Sequence, residues 1–153
     1  MISEQNNSIN QSIHTLLLLL LAIAILFFAY TLFGFLPYKR VTINNQNIDV
    51  TVVDSSKERE KGLSGRDRLS EREGMLFSFT NEDEYCFWMK DVNFPIDIIW
   101  FNSQKQVVDI KRSATPDSYP ETFCPNQAAQ YVLEVNAGKS DEWNISINDE
   151  ISF

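Results

Sequence analysis

The sequence predicts a mainly β domain with short helices (α+β), its sheet compact and curled or barrel-like, preceded by one transmembrane helix. Three observations carry this reading. Short runs rich in aromatic and β-branched residues recur between turn residues, the composition that suits a pleated, half-buried surface. Helix signals in the rest of the chain are confined to brief capped segments. Leu16 to Leu36 is a 21-residue stretch in which only Tyr30, Thr31 and Gly34 interrupt Leu, Ile, Ala and Phe.

That stretch sets the organisation. Roughly 20 apolar residues at helical rise cross a hydrocarbon core, so the expectation is a polar tail over 1–14, a span over 15–36 and a β-rich domain over 37–153. The leader contains Glu4 and no Lys or Arg, and Phe28-Ala29-Tyr30-Thr31 is a poor cleavage site, so a retained single-pass anchor in the lipid bilayer is expected over a cleaved signal peptide. Lys39 and Arg40 just after the span favour a cytoplasmic domain by the positive-inside rule. The two cysteines point the other way and weigh more. Behind a membrane span, Cys86 and Cys124 suggest a disulfide in an oxidising, extracytoplasmic compartment, with two free thiols as the alternative.

All 13 basic residues, and all but Glu4 of the 21 acidic ones, lie from Lys39 onward. The domain is therefore acidic and shows no basic stripe, which opposes a nucleic-acid partner. His14 is the sole histidine, so neither a histidine metal site nor a histidine triad is expected, and no metal or cofactor is assigned.

In order, Val41–Ile43 and Ile48–Val53 flank Asn44-Asn45-Gln46-Asn47 as a hairpin. Ser55 with Glu58 fits a capping box and Gly62 a helix stop, predicting a helix over Ser56–Lys61; Ser70 with Glu73 repeats the cap on a shorter turn. Gly74–Phe79 reads as a strand with Met75, Phe77 and Phe79 on one face, followed by an acidic turn over Asn81–Glu84. Tyr85–Lys90 and Ile96–Phe101 read as two strands of one hairpin, and Gln106–Lys111 as another strand. Ser113–Gln130, with three prolines, reads as a long surface loop. Tyr131–Val135 is a strand, Gly138–Trp143 a short helix and Ile145–Phe153 an irregular terminal strand.

Several blocks in this order carry a resemblance: Glu58-Arg59-Glu60-Lys61-Gly62-Leu63 with Arg66 and Leu69, Gly74-Met75-Leu76-Phe77, Phe87-Trp88-Met89-Lys90, Pro95-Ile96-Asp97-Ile98, Tyr131-Val132-Leu133-Glu134, and Ala137-Gly138. The chain from about Val41 to Phe153 resembles the family called domain of unknown function 192. The resemblance implies a compact, mostly β fold with short helices, commonly behind an export signal or anchor, and no assigned reaction. Asp91-Val92 stand where the family usually has Asn-Thr, and Asn148-Asp149 where it has a Gly-Asp turn, which suggests a less tight turn there.

A hairpin from Tyr85 to Phe101 would bring Lys90 and Asp97 together, as a structural ion pair or as part of a site. With Arg66 and Glu134 they form the candidate polar site, suited to a small anionic or zwitterionic ligand. Asp97, Glu134 and Asp149 could also supply a carboxylate pair for glycoside hydrolysis, a weak signal among so many acids. Trp88 and Trp100 could stack a sugar, though core packing is the commoner fate of such residues. Asn144-Ile145-Ser146 matches a glycosylation sequon. The functional expectation is a membrane-tethered module binding a small ligand or an envelope protein; the alternative is a cell-envelope enzyme centred on Lys90 and Asp97.

Overall fold

The computed structural model of the protein describes residues 14–25, 27, 28 and 38–153. They divide into two units, with the boundary at Pro37 and Tyr38. In the first, residues 14–25, 27 and 28 are helical (α1) and all exposed, among them Leu16–Leu21, Ile23, Ile25, Phe27 and Phe28. Residues 1–13 of the expected polar tail and residues 26 and 29–36 of the expected span lie outside the described residues, while His14, expected in the tail, is helical. Among the described residues no helix is long and apolar enough to cross a membrane.

The second unit is mainly β. Its seven-stranded sheet comprises β1 (Tyr38–Ile43), β2 (Gln46–Val53), β3 (Glu73–Asp83), β5 (Ile96–Phe101), β6 (Val107–Ala114), β8 (Ala129–Asn136) and β9 (Ile151–Ser152), in the order β6-β5-β8-β3-β2-β1-β9. A two-stranded sheet of β4 (Phe87–Trp88) and β7 (Thr122–Phe123) lies apart from it. Two short helices, α2 (Ser56–Lys61) and α3 (Lys139–Glu142), complete it with a 3-10 turn at Pro116–Ser118.

The β1–β2 hairpin forms as expected but on a tighter turn. Ile43 pairs with Gln46, leaving only Asn44 and Asn45 in the turn, at φ 48° and 62°. Two successive left-handed residues match the twist of a two-residue hairpin, and Asn adopts that conformation at low cost. The capping box at Ser55 and Glu58 is formed, and Gly62 at φ 45° ends α2. This helix carries the chain back so that β3 pairs with β2 in parallel, an arrangement the sequence reading did not foresee.

Pleating divides the core in two. Ile43, Ile48, Val50, Leu76, Ile99, Phe101, Leu133 and Val135 pack on one face with Trp143 and Ile145. Met75, Phe77, Ile96, Ile98, Trp100 and Val132 pack on the other with Leu63, Met89 and Phe123. All six residues of β5 are buried, which is why Ile96–Phe101 is apolar at every position but Asp97 rather than alternating.

The sheet curls into a half-barrel whose outer strands approach each other at one end. Gln106 bridges Glu150, Val107 N–H donates to Asp149 O at 2.8 Å, and Ile151 N–H to Lys105 O at 3.0 Å. Asn44 Nδ2 reaches across to Asp149 Oδ2 at 2.7 Å and Asn144 O at 2.9 Å. Asn148 takes φ 73° and donates its N–H to Val107 O at 2.9 Å, so the turn is tight without glycine. Asp91 likewise takes φ 56°. Asn and Asp tolerate this region far better than most side chains.

Several boundaries differ from expectation. The strand expected to end at Phe79 runs on to Asp83, with a bulge between Ser78 and Asp83 in place of an acidic turn. Tyr85–Lys90 contributes only Phe87 and Trp88 as strand, paired with Thr122 and Phe123 rather than with β5. The expected hairpin is therefore absent. The chain over Ser113–Gln130 is anchored: it holds β7, Phe123 and Ala129 are buried, and Cys124 is disulfide-bonded to Cys86 with Cα atoms 4.1 Å apart. A cross-link over 38 positions contributes about 4 kcal/mol on the chain-entropy account. The expected terminal strand shortens to Ile151–Ser152, because Ser146–Asp149 turns.

Candidate functional site

The chain from α2 through Leu63 and Ser64 runs over the β3–β8 face of the sheet, and Tyr85–Trp88 passes alongside. Between them is a cavity of about 220 Å³. Phe77 and Phe79 of β3, Leu63, Phe87 and Val92 make its apolar wall, with Glu134 of β8 among the lining residues. Arg59, Glu60 and Lys61 of α2 bring charge to it.

The aromatic wall is internally braced. Phe77 and Phe87 meet edge-to-face at 4.8 Å, and Phe79 stacks on Tyr85 with centroids 3.5 Å apart. Trp100 Nε1 donates to Tyr85 O at 2.9 Å. The Arg59 guanidinium lies 4.8 Å over the Phe79 ring and donates through Nη1 to Ser78 O and Asp54 O. Arg59 thereby satisfies a carbonyl at the edge of the β3 bulge while presenting its charge to the cavity. Gly62 also matters here. A Cβ at that position would meet the Phe77 ring at 3.4 Å, and its positive φ disfavours other residues.

Glu134 is the anomalous residue. It alternates with Leu133 and Val135 along β8 and pairs with Met75, which turns its side chain into the Met75 and Phe77 face. Its Oε2 is buried without a hydrogen-bond partner. Burial pushes its carboxyl up to about 8, only partly opposed by the charge of Arg66. At neutral pH this side chain is thus mostly a neutral acid, able to donate as well as accept. Arg66 itself is tied to Glu73 at 2.8 Å.

Of the four sequence-predicted site residues, the fold brings Arg66 and Glu134 into electrostatic contact and separates the other two. Asp97 is fully buried in β5, where Oδ1 accepts from Ser113 N at 2.8 Å and Oδ2 from Ser140 N at 2.9 Å and Ser140 Oγ at 2.7 Å. Lys90 is exposed, its Nζ 5.9 Å over the Trp88 ring, in a shallow groove that also includes Ser64 and Asp91. Lys90 and Asp97 form no ion pair, since β4 left the main sheet for β7. Asp97 and Glu134 cannot act as a carboxylate pair either. Asp97 pairs with Val135, one position along from Glu134 on an adjacent strand, so their side chains project to opposite faces. Trp100 is buried core, whereas Trp88 is 47% exposed.

The sequence reading missed Arg59, Phe77, Phe79, Tyr85 and Phe87 as lining residues. A faint signal existed: Glu134 is the single carboxylic acid in the otherwise hydrophobic run Tyr131–Val135. Among the described residues no group of His, Cys, Asp and Glu is arranged to hold a metal ion.

Comparison with known proteins agrees with the fold. A solved structure of a protein of unknown function from Novosphingobium aromaticivorans DSM 12444 has a TM-score of 0.71 and 28% identity, covering 76% of this chain and 85% of that one. A second, a candidate transcription regulator from Sinorhizobium meliloti 1021, has a TM-score of 0.70 and 26% identity over 78% of this chain and 97% of that one. A UPF0127 protein of Thermococcus sibiricus is 38% identical over 58 residues, which are 38% of this chain and only 35% of that relative. The chain thus spans about a third of that relative's length. Residues 39–153 match the family described as Uncharacterized ACR, and the chain belongs to this family, DUF192.

Proposed function

We propose that this protein is a membrane-tethered, extracytoplasmic module that binds a small ligand in the cavity between α2 and the β3–β8 face. The observation that carries the reading is Glu134, a carboxyl 4% exposed with a buried, unpartnered oxygen, lining a cavity walled by aromatic rings. A buried polar atom without a partner costs about 1–3 kcal/mol, so it is kept where something else gains from it. A mostly apolar pocket with few convergent polar groups is the usual form of a small-molecule site.

Two further features support the tether and the compartment. Every described residue of α1 is exposed, including a run of leucines that would favour lipid over water. The Cys86–Cys124 disulfide fits an oxidising environment.

Ligand-observed NMR of a fragment collection against the full chain tests the pocket. Bound fragments are expected to lose their signal changes with Ser64→Trp, which puts an indole on the cavity lining. Fragments that bind wild type and variant alike would place binding elsewhere and defeat the reading. An envelope-protein partner is a second reading, supported by Trp88 and Tyr119, each 47% exposed with ring centroids 6.3 Å apart.

A further inference from the structure

We infer that the ligand of the Glu134 cavity is a small carboxylate with an apolar body about the size of one ring. Its carboxylate would accept the Glu134 proton in a hydrogen bond, and its body would lie against Phe77, Phe87 and Val92. This rests on the binding reading above and narrows it to a ligand class.

The charges around the cavity, with Arg66 acting on Glu134 itself, decide the sign of the ligand. From α2 come Arg59, Glu60 and Lys61, from the following loop Arg66, from β3 Glu73 already paired with Arg66, and from the segment before β4 the Tyr85 phenol. Around the cavity itself two cations, Arg59 and Lys61, stand against one exposed carboxylate, Glu60. That local excess of positive charge sits in a chain of net charge −8, so it is a departure from the surroundings.

A cationic ligand is disfavoured for a specific reason. Rings of this kind can cage an ammonium group, but the Phe79 face is already covered by the Arg59 guanidinium. A second cation would meet Arg59 and Lys61. A neutral amide could satisfy the orphan Oε2 of Glu134 but would leave those cations unused.

The Glu134 carboxyl supplies the donor. Burial keeps it protonated at neutral pH, and an O–H donor facing a carboxylate makes one of the stronger hydrogen bonds available to a protein. Loss of that proton would set two anions against each other in an apolar site and release the ligand.

Calorimetric titration of the full chain in lipid nanodiscs with benzoate, benzamide and benzylamine tests the assignment. Benzoate is expected to bind most tightly at pH 6. At pH 9 only about a tenth of Glu134 remains protonated, so its affinity should fall about tenfold. Glu134→Gln should bind benzoate with no change between the two pH values. Benzoate no tighter than benzamide, or unaltered from pH 6 to pH 9 in wild type, would overturn the carboxylate assignment. Preference for benzylamine would overturn it while leaving a ligand pocket in place. Silence from all three probes would overturn the assignment, and failure of the fragment screen as well would remove the pocket itself. The wild-type comparisons stand even if the Gln variant does not fold.

Discussion

Asp97 and Glu134 lie on neighbouring strands, are both buried, and meet opposite circumstances. Asp97 accepts three hydrogen bonds, two of them from backbone N–H groups, and one of these holds Ser113 at φ 51°. Asp97→Asn replaces an acceptor by a donor facing donors, and is expected to cost about 3 kcal/mol in chemical denaturation. Lys90→Ala, at an exposed residue stacked loosely on Trp88, should change stability by less than about 0.5 kcal/mol. Equal losses in the two variants would reinstate the ion pair that the hairpin reading supposed. Glu134 has no such partners. Its folded-state value of about 8 lies above the ordinary 4.5, so the folded chain holds a proton that the unfolded chain releases across that interval. Its contribution is complete below pH 4.5 and is lost as pH rises through 8, on the order of 5 kcal/mol at most. Urea midpoints of wild type should therefore fall from pH 5 to pH 9 more steeply than those of Glu134→Gln. A slope identical in the two proteins would show that Glu134 is already ionised when folded. At this scale the sequence reading named Arg66 and Glu134, which the fold brings into electrostatic contact, but not Arg59, because an arginine in a capped helix looks like an ordinary solvated residue.

Elements were legible where local chemistry decides them. The capping box at Ser55, the Gly62 stop, the asparagine turn and the alternation of Met75 and Phe77 all act through near neighbours in sequence. Partner choice between strands was not legible. Tyr85–Lys90 and Ile96–Phe101 look like the arms of one hairpin, since a polar turn separates two apolar runs. The pairing is settled instead by Cys124 and Phe123, which draw Phe87 and Trp88 into a separate ribbon. The same competition explains the misplaced site. Lys90 travels with the ribbon, and Asp97 stays with the sheet. The β3 strand outran its expected end because Arg59 and Gln130, distant in sequence, satisfy the carbonyls of Ser78, Phe79 and Thr80 at its bulge. Such long-range hydrogen bonds leave no periodic trace.

On the scale of the whole molecule, composition and motif order were enough for the class: mainly β, a curled sheet, two short helices in the domain, and membership of DUF192. The curl itself came from contacts between chain positions more than 40 residues apart, such as Gln106 with Glu150. Cys86 and Cys124 are both exposed at the surface, which makes the compartment testable. In intact cells, a membrane-impermeant maleimide should label these thiols only after an impermeant reductant has been applied. Labelling that needs cell lysis would place the domain on the cytoplasmic side and defeat the extracytoplasmic proposal. The half-barrel also has a temporal side. β1 is the first strand of the domain, yet its free edge is covered by β9, and the Gln106 bridge waits on Glu150. A chain delivered from its N-terminus cannot seal this sheet until residues 150–152 are available. Closure is therefore the last event that the strand order permits, and until residues 150–152 arrive β1 keeps an unpaired edge and Gln106 lacks its bridge.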